Sequence, residues 1–204
     1  MRQYSPNLQK YNLRLAAIGL LVAIFCVFWS SLENPFHYDD IHSIVENPHI
    51  RSFAEPLRFI VNPEMFSADP RQAMYRPVVV FSLALNYVLG ADAPFGYHLF
   101  NLILHAVNAL LVLTVAKHWG IGLRGAFFCA ALFAFHPINV EVLNLISSRS
   151  EALCAAFFLS AFLCFSKYIK KADTLGWYWA ALGLYVVALG AKSVAIMLPA
   201  VLLI

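Results

Sequence analysis

Leu13–Leu32 carries a single charge, Arg14, in twenty residues. A run of about 20 mostly apolar residues is long enough to cross a bilayer as one helix. Tyr97–Ala116, Ala152–Tyr168 and Leu175–Ala191 repeat the pattern. Gly125–Phe135 is a shorter version that runs into His136-Pro137, and Ser193–Ile204 begins another. The whole chain is 61% hydrophobic and 12% charged, against about 45–50% and ~25% in soluble domains. Its mean hydropathy is +0.71. These values exclude a soluble globular domain, a disordered chain and a nucleic-acid-binding module. The fold class expected is an all-α polytopic membrane protein with five crossings and the start of a sixth. A chain end inside an apolar run reads as a truncation.

Arg2, Lys10 and Arg14 precede or begin the first apolar run, and no small-residue cleavage site follows it. The run therefore reads as an uncleaved signal anchor over 13–32. The four cysteines lie inside apolar stretches without metal-type spacing and read as packing residues.

Residues 33–96 form a long loop with eight of the eleven acids and most of the prolines. Within it, 76–90 is apolar again but too short to span, which suits an interfacial helix with Pro77 in its first turn. The remaining spans fall within 97–204. With the N-terminus in the cytoplasm, the inner segments hold Arg2, Lys10, Arg14, Lys117, Arg124, Lys167, Lys170 and Lys171 against Asp173 alone. The outer segments hold six basic residues against ten acids. That bias satisfies the positive-inside rule and puts the long loop on the periplasmic or lumenal side.

Directly after the first span stands Asn34-Pro35-Phe36-His37-Tyr38-Asp39-Asp40. Two adjacent carboxylates at a low-dielectric boundary repel each other, and burial disfavours their charge. Such a pair suits a general base acting on a hydroxyl. A turn or helix cap explains it equally simply, and a metal site of Asp39, Asp40 and His42 is a third option.

His98, Asn101, His105 and Asn108 step by 3, 4 and 3, which puts them on one face of an apolar helix. Such a stripe lines a wet cavity or ties helices together. His136, Glu141 and Arg149 belong to a short outer segment that the preceding brief apolar run obliges to dip into the membrane. Irregular backbone at that depth is tolerated only inside protein or against water. Glu141 and Arg149 either pair with each other, or Arg149 grips a phosphate bidentately. Lys192 and Arg76 either snorkel to the headgroups or neutralise a phosphate. No GxxxxGK[ST], GxGxxG, HExxH or GxSxG motif occurs.

The ordered set of segments is more specific than any one of them. Asp39-Asp40 is followed by Glu46-Asn47-Pro48-His49-Ile50, Tyr75-Arg76-Pro77 and His98-Leu99-Phe100-Asn101-Leu102 with His105. Phe133-Ala134-Phe135-His136-Pro137, Glu141-Val142, Arg149-Ser150-Glu151 and Lys192 before Leu198-Pro199 complete it. From about residue 13 to 204 the chain resembles the N-terminal membrane half of the transmembrane and tetratricopeptide-repeat O-mannosyltransferases and their bacterial relatives, within the GT-C superfamily of glycosyltransferases.

That resemblance implies a GT-C-like helix bundle whose long first outer loop carries the catalytic carboxylate. It implies transfer of a mannose-like sugar from a polyprenyl-phosphate donor to an acceptor hydroxyl, often Ser or Thr of a protein, on the outer face. Asp39 and Asp40 match the family's acidic pair. Arg149, Arg76 and Lys192 are the cations available for the donor phosphate, and His37, His98, Asn101, His136 and Glu141 are the candidates for the substrate pocket. The family carries an acidic residue after the lysine matched by Lys192; here it is Ser193. The tetratricopeptide repeats would lie beyond Ile204. No cofactor is required, although a divalent metal is compatible with the carboxylate–histidine cluster. The partners expected are membrane lipid, the lipid-linked sugar and an acceptor protein, with no nucleic acid. A bacterial inner membrane is the expected location, and the endoplasmic reticulum membrane if the source is eukaryotic. The competing readings are a transporter or channel fragment with the polar stripe along its path, and an inert scaffold.

Overall fold

A computed structural model describes residues 6–54, 56–170 and 175–203. Arg2, Lys171 and Asp173, used in the charge count above, lie outside the described residues. The described chain is helical, and the all-α polytopic class holds.

Helix α1 (Pro6–Phe28) continues through a 3-10 turn, Trp29–Glu33, into the outer loop. Beyond a single turn, α2 (Arg58–Val61), come α3 (Pro77–Gly90), α4 (Pro94–His118), α5 (Leu123–Phe135) and α6 (Pro137–Asn144). Then follow α7 (Arg149–Lys170), α8 (Leu175–Ala191) and the short α9 (Leu198–Leu202). Helix α4 sits at the centre, packed against α1, α5, α6 and α7, while α8 lies along α7.

The count of crossings differs from the sequence expectation. Among the described residues three helical stretches are long and apolar enough to cross a bilayer: Lys10–Glu33, Pro94–His118 and Ile146–Lys170. A fourth exists if α5 and α6 make one span bent by 49°. The bend has a local cause. The residue before a proline is driven out of the helical region, and His136 is extended at φ −70°, ψ 129°. Helix α8, at 17 residues, reaches about 25 Å at 1.5 Å per residue, short of the ~30 Å hydrocarbon core.

The apolar segment of the outer loop forms α3, with Pro77 at its first position, where a missing N–H costs nothing. It buries Val79, Val80, Leu83 and Ala84 in a core with Ile44, Ile50, Phe59 and Met65 from the loop. Phe81, Val88 and Leu89 remain exposed on its other side. A second core joins α1, α4, α5 and α6 through Leu20, Ile24, Leu102, Ala109, Ala130 and Leu143. The loop itself is built from three turns that begin Asx-Pro. The side chains of Asn47, Asn62 and Asp69 each accept the backbone N–H two residues on, from His49, Glu64 and Arg71, which is the cap these residues favour.

Candidate functional site

Breaking a helix twice within 136–148 leaves carbonyls without partners at each C-terminus and N–H groups without partners at the next start. In an apolar surrounding each such group costs several kcal/mol, on the order of a lost hydrogen bond or more. The polar stripe of α4 meets them one by one. His105 Nε2 lies 2.9 Å from Ala134 O at the end of α5. Asn101 Nδ2 donates to Val142 O at 2.8 Å and to Ile146 O at 3.4 Å. His98 Nδ1 lies 2.9 Å from Leu143 O. Asn108 Nδ2, past the breaks, donates at 2.9 Å to Ala152 O, a carbonyl within α7. All four side chains are buried. Asn139 serves the remaining end by donating to Phe133 O at 3.0 Å.

Arg149 is the centre of this arrangement and is wholly buried. Its Nε donates to Asn101 Oδ1 at 2.7 Å, Nη1 to Ser82 O at 3.2 Å and Nη2 to Tyr97 O at 3.0 Å. Its guanidinium lies 4.4 Å from the centre of the Phe100 ring. The fork therefore ties α3, α4 and α7 together. Glu141, the other member of the pairing weighed from sequence, instead accepts from Ser148 Oγ at 3.2 Å.

The two aspartates have opposite surroundings. Asp40 is 0% exposed. Its Oδ1 accepts Ser147 N–H at 2.7 Å, and its Oδ2 accepts His37 and Ile146 N–H at 3.2 and 3.3 Å. It thus caps the turn that opens α7 from more than a hundred residues away. The side chain of Asp39 is 69% exposed, and its Oδ1 lies 3.7 Å from His42 Nε2. His42 Nδ1 in turn lies 2.9 Å from Ser67 Oγ. Tyr38, immediately before, takes φ +46°, a left-handed conformation that costs a non-glycine residue about 1–2 kcal/mol. Local strain of this kind re-aims the chain where the two carboxylates part.

Asp39 opens onto a cleft of about 220 Å³ that also takes in His42, Arg76, Glu141, Glu151 and Lys192. Arg76 is half-buried at the N-terminus of α3; it donates to Ser150 Oγ at 3.2 Å and stacks over Phe66. Burial pushes the Arg76 guanidinium down from its usual range, and the charge of Glu151 opposes that. Lys192 pairs with Glu151. Two cavities adjoin the cleft. One, of about 410 Å³, shares Glu141, Ser148 and Glu151 with it and reaches His105, Asn108 and Phe133. The other is an apolar groove of about 970 Å³ between α3 and α8, lined by Tyr75, Pro77, Phe81, Phe157, Val186 and Ser193 among others. Gly190 lets the two helices close there: a Cβ on it would stand 3.0 Å from Val78 Cγ2.

Of the residues singled out from sequence, Asp39, Arg76, Glu141 and Lys192 therefore meet at one cleft. Asp40, His98, Asn101 and Arg149 lie in the scaffold behind it. His37 is exposed beside Tyr38, and His136 is exposed at the start of α6, where its Nδ1 accepts Ile138 N–H at 3.3 Å. Among the described residues no three His, Cys, Asp or Glu side chains converge to hold a metal ion. Sequence groups His42 with Asp39, as a metal option; it does not link Ser67 to either. His42 stands three residues on, a spacing that was legible; Ser67 is reached only through the folded loop.

Comparison with known proteins finds the chain 31% identical over 182 residues to Protein O-mannosyl-transferase TMTC3 of Homo sapiens, covering 87% of this chain and 20% of that protein. It is 34% identical over 166 residues to TMTC1 of Homo sapiens, covering 76% and 18%. It is 28% identical over 186 residues to TMTC4 of Homo sapiens, covering 80% and 25%. The chain thus spans a fifth to a quarter of the length of these curated relatives. No family model and no solved structure matches it.

Proposed function

Starting from the likeness of this chain to the N-terminal membrane half of the TMTC protein O-mannosyl-transferases, we propose that it forms the catalytic face of a glycosyltransferase acting on protein hydroxyls. The donor is a polyprenyl-phosphate-linked, mannose-like sugar. One observation carries this reading. A polar cleft lined by Arg76 and Lys192 with the carboxylates of Asp39, Glu141 and Glu151 lies beside a large apolar groove whose Tyr75, Pro77 and Ser193 flank those two cations along the chain. That pairing fits a substrate with an anionic sugar-phosphate head and a hydrocarbon tail.

In this reading the acceptor oxygen attacks the anomeric carbon while the bond from that carbon to the phosphate oxygen breaks. The lipid phosphate leaves with the electron pair, and Asp39 takes the hydroxyl proton. Arg76 and Lys192 stabilise the charge that develops on the leaving phosphate. Arg76 is the stronger candidate because Lys192 is already engaged by Glu151, whereas the hydrogen bond of Arg76 goes to a neutral hydroxyl. Asp40 and Arg149 act as positioning residues: they fix the 146–149 turn that forms one wall of the cleft. The face is the periplasmic or lumenal one, following the charge bias of the loops. Each residue of the stripe on α4 holds a backbone carbonyl, and His105 and Asn108 also line the cavity that adjoins the cleft.

The test is sugar transfer by the full-length parent in membranes supplied with labelled polyprenyl-phosphate sugars. Asp39→Asn abolishes transfer while leaving membrane insertion intact. Undiminished transfer by that variant would remove Asp39 from the mechanism, and no transfer by the folded wild type from any lipid-linked donor would remove the reading itself.

A further inference from the structure

Helices α4 and α7 run away from the Asp39 cleft and end together at the far end of the bundle, where α8 begins. Between them lies a cleft of about 340 Å³ lined by His118, Lys167, Lys170 and Trp177. Trp119 and Trp179 are strongly exposed at this end, and Tyr168 and Tyr178 meet there with ring centres 5.5 Å apart. Tryptophan and tyrosine collect where hydrocarbon gives way to headgroups, so the cleft lies at headgroup depth.

Both ammonium groups are held in place by neutral partners. Lys167 Nζ stands 4.4 Å from the centre of the Trp177 ring, and Lys170 Nζ donates to His118 O at 3.1 Å. An ammonium has three donors, so each keeps N–H groups for a ligand. Among the described residues neither pairs with a carboxylate. His118 Nε2 is shut off from solvent without a hydrogen-bond partner. Lys117 and Arg124 add to the positive field nearby. The described residues thus place two cations and an unsatisfied ring nitrogen around a cavity at the membrane surface, and none of them supplies an anion to it.

We propose that this cleft binds the phosphate of an anionic phospholipid from the leaflet opposite the Asp39 cleft. The chemistry is that of a phosphate oxygen accepting from Lys167 and Lys170, a form of recognition that basic pockets between membrane helices provide. Neither the polyprenyl-phosphate donor nor the transfer reaction enters the argument, so it stands apart from the proposed activity.

The experiment uses the purified protein in nanodiscs of phosphatidylcholine with and without a minor fraction of phosphatidylglycerol. Native mass spectrometry counts the anionic lipid retained. Lys167→Gln and Lys170→Gln are each expected to lower apparent affinity about fivefold, and the double variant to lose retention above background. Arg124→Gln removes a charge at the same end but outside the cleft, and lowers retention clearly less than either cleft variant. Inorganic phosphate at matched concentration does not compete. Equal losses for Arg124→Gln and the cleft variants would replace the site with a diffuse basic field and overturn the proposal. So would full retention by the double variant, or saturation by inorganic phosphate alone. Should Lys170→Gln unfold the end of α4 by freeing His118 O, Lys167→Gln decides the matter alone, because its partner is an aromatic ring.

Discussion

Asp39→Asn and Asp40→Asn differ by one position and are expected to fail in different ways. The Asp40 carboxylate accepts three backbone N–H groups in a site closed to water, at 2.7, 3.2 and 3.3 Å. An amide has one acceptor oxygen. If it faces Ser147, its NH₂ is turned toward the N–H groups of His37 and Ile146; the opposite orientation loses the shortest bond. Either way at least one buried donor faces a donor. Hydrogen bonds to charged groups contribute about 1.5–3 kcal/mol each, so Asp40→Asn is expected to cost roughly 2–4 kcal/mol once the longer geometry of two of the bonds is allowed for. The exposed pair of Asp39 with His42 contributes only ~0–1 kcal/mol. Thermal unfolding in detergent, followed by tryptophan fluorescence, measures both. Asp40→Asn lowers the midpoint by several degrees; Asp39→Asn leaves it close to wild type. In the transfer assay the order reverses: Asp39→Asn loses activity outright, whereas Asp40→Asn keeps residual activity, lowered by unfolding and by the loosened 146–149 turn. Wild-type stability in Asp40→Asn, or a larger destabilisation in Asp39→Asn, would refute the division of labour.

Three further variants probe the scaffold and the cleft. Arg149→Met leaves Asn101 Oδ1 buried without a donor and cuts the ties to Ser82 O and Tyr97 O, carbonyls that keep their own bonds inside α3 and α4, at about 1–3 kcal/mol for the orphaned amide oxygen, partly offset by removal of a buried charge; size-exclusion chromatography should show a diminished monodisperse peak, with Arg149→Lys intermediate. Arg76→Gln breaks one hydrogen bond to Ser150 and is expected to keep the thermal midpoint within a few degrees while lowering kcat/KM for a lipid-phosphate donor about tenfold or more, with kcat falling too, as initial rates against donor concentration would show. Gly190→Val puts methyl groups where even a Cβ stands 3.0 Å from Val78; overpacking of this kind costs about 1–3 kcal/mol, and labels on α3 and α8 should report a wider separation by distance measurement.

What the sequence reveals about this fold follows the range of the interactions concerned. Hydropathy finds α1, α4 and α7 because a spanning helix is a local property. Period 3.6 finds the stripe on α4, and the loop helix after Arg76 is announced by Pro77. The Asx-Pro steps at 47, 62 and 69 are equally local, and each marks a capped turn. What the stripe binds is not local. Its partners are carbonyls 29 to 45 residues away, and nothing in the spacing of His98 to Asn108 distinguishes a carbonyl partner from a cavity. The same limit applies to the acidic pair: Asp39 and Asp40 are chemically identical neighbours until a turn at Tyr38 aims one at solvent and the other at a segment 106 residues on. Nearness in sequence also suggested Glu141 for Arg149, whereas the folded chain gives that arginine to α3 and α4.

The irregular 136–148 segment makes the site possible, and the cost of irregular backbone in a membrane explains why the polar residues are where they are. A continuous helix through His136-Pro137 would satisfy its own carbonyls and need no stripe on α4. It would also leave no turn at 146–148 for Asp40 to cap. Because the helix breaks, side chains must replace the lost backbone partners, and they do so in a fixed geometry: His105 and Asn139 at the end of α5, Asn101 and His98 at the end of α6, Asp40 at the start of α7. Asn139 ties α6 back to α5, and the others anchor the segment to α4 or to the outer loop, so Ser147, Ser148 and Glu151 are held against Arg76 and Lys192 rather than left on a mobile loop. A cleft that must hold an anionic head while keeping one carboxylate free needs such rigid walls. Asp39 remains available because its neighbour already satisfies the backbone that an aspartate in this position would otherwise cap.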